Sequence, residues 1–312
     1  MVSPQPGKLI LSTFYIISGQ AAKTYNEPPF DYVIVDEASQ ALLAMFGGAK
    51  LLGKKNIWIG DTKQLPPVVA LSDDKVNRKN YGVLVDGLKA LSVNAALPVF
   101  QLTETHRLTD RASNYTGIFY QNHLKSRVKK NIRLSYQDMN YEFGNFFNPK
   151  GGPTLIKTNM KVGDYKPENA LKFSTELVKH LLSINDKIHI SVLTYFIETT
   201  KALQKNIFQT VGYHKNLLIE TVSRVQGLTT DVAIYVIPNS SYHRSLENRL
   251  FNVATSRSKR HTIIIADKNV LTRSQVDNEV NQYLKKLDNE FSFYVPFETK
   301  LAKIFAKIKK ST

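Results

Sequence analysis

Short runs of apolar and β-branched residues recur along the chain, each ending at polar residues and giving way to a stretch with helical spacing. Leu9 to Thr13, Tyr32 to Val35 and Asn56 to Ile59 are such runs in the first hundred residues. A continuous apolar run between turn signals marks a strand buried on both faces, so the alternation predicts a parallel sheet with crossover helices. The second half repeats the rhythm. Ala170, Phe173, Leu177, Val178, Leu181 and Leu182 share one face of a helix predicted over Glu168 to Leu182, because residues three and four apart stack on a 3.6-residue repeat. A strand over Ile188 to Thr194, a helix over Glu198 to Phe208 and strands over Leu217 to Val222 and Val232 to Ile237 follow. A helix over Leu246 to Ser256 and a strand over Thr262 to Ala266 complete the series.

The stretch Ser92 to Pro98 breaks the two series, and two α/β domains on a short linker are the simplest arrangement. Between Leu124 and Asp164 the pattern degrades into basic, aromatic and Gly/Pro-containing sequence, read as an irregular connection or insertion. After Asp267 the chain turns polar and helical. It ends in KLAKIFAKIKKST, where Leu301, Ile304, Phe305 and Ile308 would line one face of an appended helix.

Composition narrows the function classes. The 312 residues contain no cysteine, which excludes disulfides, thiolate metal sites and cysteine nucleophiles. No apolar run approaches the roughly 20 residues of a membrane helix. The first residues carry no signal-peptide pattern. An intracellular protein is expected, cytoplasmic or, in a eukaryote, nuclear. With 42 Lys and Arg against 26 Asp and Glu the formal charge is +16. Such an excess favours polyphosphate partners through counterion release, although solubility alone also accounts for it.

Two strand ends carry candidate chemistry. The run Tyr32 to Val35 ends in Asp36-Glu37, at the end of a strand where open α/β sheets present ligands. Asp36 suits Mg²⁺ and Glu37 a water to be activated; the pair equally suits an acidic helix start. About twenty residues on, the run Asn56 to Ile59 ends in Gly60-Asp61-Thr62-Lys63-Gln64-Leu65-Pro66-Pro67. That loop is either a plain turn or a rigid mount from which Gln64 reaches a phosphate.

Taken together at this spacing, the acid strand resembles motif II of superfamily 1 helicases, and the Gly60 to Pro67 loop resembles motif III. The likeness extends in order through the chain. Leu11 to Ser18 resembles the motif Ic region, Gln101 to Arg107 motif IV, Asn114 to Leu124 the family's Phe-Tyr segment, Glu220 to Gly227 motif V and Asn252 to Arg260 motif VI. The pattern is closest to the 1B branch, which includes the nonsense-mediated-decay and replication helicases. Three departures stand out: His106 where the decay factors carry an adenine-stacking tyrosine, Gln-Gly-Leu-Thr in motif V, and Thr-Ser-Arg-Ser in motif VI.

The resemblance implies ATP and Mg²⁺ as cofactors and single-stranded DNA or RNA as partner. It implies Glu37, Gln64, Arg107 and Arg257 as the catalytic set, Asp36 as the Mg²⁺ ligand, and Asp61, His106, Gln226 and Gly227 at the nucleotide. Ser12 and Thr13 would lie on the strand track. Lys125 to Arg133 places five basic residues in nine positions beside aromatics, so Lys125, Arg127, Lys129 and Lys130 are candidate phosphate contacts.

One element of the family is absent. A P-loop reads Gly-x-x-x-x-Gly-Lys-[Ser/Thr] and leads from a strand into a helix. No such pattern occurs in the 35 residues before Asp36. Gly48 to Lys54 matches the spacing, but position 55 is Lys, and the stretch runs from a helix into a strand. The fold expected is therefore α/β with two RecA-like parallel-sheet domains, the first incomplete at its N-terminus. Residues 1–95 form that partial domain, 96–270 the second, and 271–312 a helical tail. The function expected is a helicase motor core, inactive in hydrolysis without an upstream P-loop segment; the competing reading is a non-hydrolysing nucleic-acid-binding module of the same descent.

Overall fold

Chain contacts in the computed structural model group the protein into two units, Met1–Gln101 and Leu102–Thr312. The structure describes residues 7–23, 26–70, 75–76, 81–94, 97–128, 141–238, 242–272 and 276–296. The terminal apolar face at Leu301 to Ile308 lies outside the described residues.

In the first unit the elements run α1 (Phe14–Ala21), β1 (Phe30–Val35), α2 (Leu43–Leu52), β2 (Gly53–Trp58) and α3 (Gly87–Asn94). β1 and β2 pair in parallel, with Val33 opposite Asn56 and Val35 opposite Trp58. Alternation along β1 turns Val33 and Val35 onto one face, where they bury against Phe46, Ala49 and Leu52 of α2. Phe46 and Trp58 meet with ring centroids 4.7 Å apart. The opposite face carries Tyr32, Ile34, Ile57 and Ile59, all exposed.

The strand expected at Leu9 to Thr13 is not formed. This stretch is coil leading into α1, with Leu9 and Leu11 exposed. An apolar run becomes a strand only against a neighbouring ladder, and no described strand pairs with it.

The second unit is built on a six-stranded, all-parallel sheet of order β10-β5-β9-β8-β6-β7. After the short β3 (Glu104–Thr105), α4 (Asp110–Thr116) and β4 (Lys125–Ser126), the chain enters β5 (Gly152–Thr158). It continues as α5 (Glu168–Ile184), β6 (Ile190–Thr194), α6 (Ile197–Val211), β7 (Leu217–Thr221) and β8 (Thr230–Val236). Then come α7 (Asn248–Thr255), β9 (Ser258–Asp267), α8 (Asn278–Glu290) and β10 (Ser292–Tyr294). The six apolar positions read for α5 are all buried, packed with Ile190, Val192, Val232, Ile234, Ile263 and Ile265 of the sheet. The α/β, RecA-like parallel-sheet class is the one the chain adopts.

β5 replaces part of the irregular stretch expected between Leu124 and Asp164. Gly151-Gly152-Pro153 reads as a loop, yet both glycines have positive φ and lead directly into a fully paired strand. They allow a close approach: a Cβ on Gly151 would lie 2.8 Å from the Arg260 carbonyl oxygen, and one on Gly152 would lie 3.0 Å from the Ala112 nitrogen.

Candidate functional site

Parallel pairing brings the carboxyl ends of β1 and β2 side by side, and with them two of the loops singled out in the sequence. Ile59 N–H donates to Val35 O at 2.8 Å, and Ala38 N–H donates to Ile59 O at 2.7 Å. These bonds stitch the residues after β1 to those after β2. Gly60 is required for the fit, since a Cβ there would stand 2.7 Å from Ser39 N. Glu37 adopts the left-handed conformation, φ 50 and ψ 40, and its N–H donates to Asp36 Oδ1 at 2.9 Å. A non-glycine residue held in that region stores about 1 kcal/mol or more and persists only where its surroundings impose it. Asp36 and Glu37 are both exposed.

The second loop is organised by Asp61. Its Oδ1 accepts from Lys63 N–H at 2.8 Å and its Oδ2 from the Gln64 side-chain amide at 2.9 Å. Asp61 thus serves as a clamp that fixes Gln64. Ser12 and Thr13 lie in the exposed coil just ahead of α1, outside this stitched pair of loops.

The Gly48 to Lys54 stretch forms the end of α2 and the start of β2, so it runs from helix to strand as its sequence context indicates. Lys54 Nζ pairs with Asp31 Oδ1 at 3.1 Å, at the amino end of the sheet and away from Asp36.

Among the described residues no three His, Cys, Asp or Glu side chains form a ready-made metal cage. The donor set nevertheless fits Mg²⁺, which takes one or two carboxylates and completes its shell with water and phosphate. Asp36 is an exposed carboxylate with one oxygen turned to its neighbour's N–H.

In the second unit the candidate arginines gather at the amino ends of β8 and β9. Thr105 Oγ1 accepts from the N–H groups of Arg107 at 3.2 Å and Leu108 at 3.3 Å, and this turns the chain sharply after β3. Arg107 is half-buried, and its Nη1 donates to Ser256 O at 3.5 Å. Arg257 is 2% exposed. Its Nε donates to Val253 O at 2.9 Å, its Nη1 to Leu228 O at 3.3 Å and its Nη2 to Ser256 Oγ at 3.3 Å. Gly227, at φ 80, and half-buried Gln226 precede Leu228 in the same loop. Residues read as motifs IV, V and VI therefore converge here. His106 is exposed on the bend beside Arg107.

The basic stretch is less free than its sequence implies. β3 pairs with β4, which sets Glu104 opposite Lys125, and Arg127 forms an ion pair with Glu104. The hydrogen bond from Arg127 holds the Glu104 carboxyl below the usual carboxylate range and raises the guanidinium in turn. Lys125 and Arg127 are exposed; Lys129 and Lys130 lie outside the described residues.

Two features escaped the sequence reading. Asn252 Nδ2 donates to the Tyr120 hydroxyl at 2.9 Å, tying α7 to the turn that follows α4. At the other end of the sheet, beyond the carboxyl ends of β5 and β6, Tyr165 and Tyr195 each pack against Phe196, with centroids at 4.8 and 4.9 Å. Lys161, Lys166 and Lys268 are exposed on the loops that leave β5 and β9. The available signal was a pair of aromatics immediately after a buried strand, Thr194-Tyr195-Phe196, in a loop position.

Two family models, each described as an AAA domain, match residues 5–72 and 87–269. An uncharacterized ATP-dependent helicase of Methanocaldococcus jannaschii is 26% identical over 276 residues, taking in 84% of this chain and 39% of that protein. A DNA replication ATP-dependent helicase/nuclease of Schizosaccharomyces pombe is 24% identical over 296 residues, or 84% of this chain and 20% of that one. Among solved structures, the PRRSV helicase aligns with a TM-score of 0.38 at 15% identity, over 88% of this chain and 48% of that chain. The chain spans well under half the length of either curated relative. With one AAA domain model covering more than half of its residues and the motifs in order, the chain belongs to the AAA domain family and carries a superfamily 1 helicase core.

Proposed function

We propose that this chain is the motor core of an ATP-dependent helicase that moves on single-stranded DNA or RNA. The observation that carries the reading is the stitching of Asp36-Glu37 to the Asp61–Gln64 loop at one sheet end, through the 2.7 Å bond between Ala38 and Ile59. Two acids and an amide presented together on rigid strand ends suit phosphoryl transfer, where catalysis consists largely of positioning and charge stabilisation.

In this reading Asp36 holds Mg²⁺, which when bound neutralises phosphate charge. Glu37 accepts the proton of the attacking water, from a left-handed backbone position that its surroundings impose. Gln64, fixed by Asp61, orients the same water or the γ-phosphate. Arg107 is the proposed phosphate-contacting arginine, with His106, Gln226 and Gly227 as further nucleotide contacts. The nucleic acid would be gripped by Lys125 and the lysines beyond β5 and β9. Tyr165, Tyr195 and Phe196 would offer ring faces or edges to the bases, and stacking is tolerant of sequence. Ser12, Thr13, Lys129 and Lys130 are further candidate strand contacts.

The phosphate cradle is missing from the 312 residues, and the near match is engaged with Asp31. We place it in an upstream segment of the same protein. The chain alone is therefore expected to bind strands without appreciable ATP turnover, which is also what a non-hydrolysing module would do.

The test is anisotropy with labelled single-stranded DNA and RNA across 50 to 200 mM salt. Affinity should fall with a slope of about −0.7 per phosphate contact. Tyr195→Ala should lose about 1–3 kcal/mol if one base stacks there. Salt-independent binding, or none, would overturn the reading. Hydrolysis by the intact protein then separates the motor from the module.

A further inference from the structure

The short ribbon of β3 and β4 sorts its side chains by the alternation of paired strands. Lys125 N–H donates to Thr103 O and Arg127 N–H to Thr105 O, each at 2.8 Å, which fixes the register of the two segments. One face turns inward. There Thr105 Oγ1 accepts from the N–H groups of Arg107 and Leu108, and Ser126 Oγ donates to Leu108 O at 2.7 Å. The other face carries Glu104, His106, Lys125 and Arg127, all exposed. Three basic side chains thus surround one carboxylate. Glu104 stands opposite Lys125 and diagonal to Arg127, with which it forms its ion pair. The hydrogen bond from Arg127 lowers the Glu104 carboxyl, and the charges of His106 and Lys125 add to it.

The pair does little for the fold. The Arg127 and Glu104 side chains are 58% and 43% exposed, and an exposed ion pair is screened by solvent and worth little. Backbone bonds and the Thr105 and Ser126 hydroxyls hold the ribbon instead. What the carboxylate supplies is negative charge in the place where a guanidinium fork would take a phosphate oxyanion, since both anions suit the same fork.

We propose that the exposed face of this ribbon is an anion site in which Glu104 is the resident stand-in: a phosphate oxyanion displaces the carboxylate from Arg127 and is held there with Lys125 and His106. The inference rests on the reading above for the source of the phosphate, the backbone of a bound single strand. It adds regulation to that reading, because Arg127 joins the grip only after Glu104 lets go. Once released, Glu104 takes up a cation from solution and offsets one counterion released by the strand. The carboxylate therefore weakens binding and flattens its salt dependence.

Carboxyl labelling with carbodiimide and glycine ethyl ester, read by peptide mass spectrometry on the wild-type 312-residue chain, follows Glu104 directly. Saturating single-stranded DNA should raise its labelling rate by about twofold or more, the effect of opening one exposed pair. Simple coverage by the strand would lower that rate. Anisotropy supplies a second arm. Glu104→Gln keeps the side-chain length and should bind the strand about two- to fivefold tighter at about 50 mM salt, with a salt slope steeper by about 0.7. Adding Arg127→Ala should remove the gain. Asp31→Asn makes the same charge change at the exposed Lys54–Asp31 pair and should give no such gain.

A Glu104 labelling rate that falls or stays level on strand binding overturns the inference, and that arm needs no variant to fold. So does a Glu104→Gln gain no larger than that of Asp31→Asn, or one that survives Arg127→Ala. In each of those cases strand binding itself holds, and the functional reading stands. If the chain binds no strand, the functional reading falls, and pyrophosphate then tests the site alone. Glu104 labelling that rises with pyrophosphate keeps the anion site and makes a free phosphate its ligand; labelling that stays level removes the site as well.

Discussion

Substituting Gly60 with alanine should loosen the first unit specifically, and the size of the effect can be worked from the contacts around it. The added Cβ would lie 2.7 Å from Leu88 Cδ2, 2.7 Å from Ser39 N and 3.1 Å from Ala38 N. Leu88 can rotate away; the two backbone nitrogens cannot move without disturbing the 2.7 Å bond from Ala38 to Ile59. Overpacking of this kind costs about 1–3 kcal/mol and a weakened backbone hydrogen bond about 1 kcal/mol more, so a loss of about 2–4 kcal/mol is expected. Trp58 is the chain's single tryptophan and packs on Phe46. Its fluorescence therefore reports the first unit, and in a unit of about 100 residues each kcal/mol moves the melting temperature by about 4–8 °C. Gly47→Ala is the matched control. It lies inside α2 with no heavy atom within 4 Å of the new Cβ, and it should gain about 0.4–1 kcal/mol from helix propensity and chain entropy. A Gly60→Ala protein whose Trp58 transition coincides with wild type would refute the claim that the two loops are locked together by close backbone approach.

Three further outcomes follow from the site and the core. In the intact protein, Glu37→Gln should abolish strand-stimulated ATP hydrolysis while ATP affinity in an equilibrium binding assay stays within a few-fold; loss of binding instead would contradict its assignment to the water. Lys54→Ala removes an exposed ion pair and should shift stability by no more than about 1 kcal/mol, with nucleotide binding by the intact protein unchanged; a large loss of that binding would restore the stretch as a phosphate cradle. His261 is buried between Phe147 and the charges of Arg111 and Arg260, and burial pushes its pKa down to about 3. The unfolded chain takes up a proton near 6.5 that the folded one refuses, so the stability contribution is present above pH 6.5 and declines as pH falls toward 3. The slope approaches about 1.4 kcal/mol per pH unit. His180, also lowered by burial, adds in the same direction. Denaturation followed by circular dichroism between pH 7 and 5 should show the slope, and His261→Gln should flatten it.

How much of this was legible depended on whether a residue's role is local. The α5 face could be read because helical spacing alone decides which side of an amphipathic helix is buried. Strands β6, β8 and β9 announced themselves as unbroken apolar runs, since both their faces are covered. β5 did not, because Gly151 and Gly152 serve a close approach to Arg260 and Ala112 that only the folded chain supplies. Leu9 to Thr13 failed for the converse reason: its composition suits a strand, but pairing is a property of the neighbour. At the candidate site the identities of Asp36, Glu37, Gln64, Arg107 and Arg257 came from pattern, while their states did not. No spacing rule distinguishes the enclosed Arg257 from the looser Arg107, or reveals that Glu104 takes Arg127 into an ion pair.

The segment between β7 and β8 offers a physical route between the two ends of the second unit's sheet. Consecutive strands of this sheet are otherwise joined through helices, because the chain must return the length of a strand before starting the next, and β7 and β8 also lie on either side of β6. From Thr221 to Thr230 the return is made by eight residues containing only a 3₁₀ turn at Val222–Arg224, with Val222 and Val225 buried. An extended residue advances at most about 3.3–3.6 Å, so eight residues reach about 26–29 Å, and retracing a five-residue strand (about 17 Å) while crossing β6 (about 10 Å) uses most of that reach. One end of this taut segment leaves the carboxyl edge of the sheet, where the aromatic cluster lies. The other end, at Leu228, is held by Arg257. Under the proposed function the strand-gripping end and the phosphate-facing end are then joined by a connection too short to absorb a displacement. Movement of Leu228 on nucleotide engagement would be passed toward Thr221 instead of dissipating in a loop. Lengthening the segment by two glycines after Ser223 should leave strand binding by the chain intact while uncoupling its affinity from nucleotide in the intact protein; coupling that survives the insertion would show that the signal travels elsewhere.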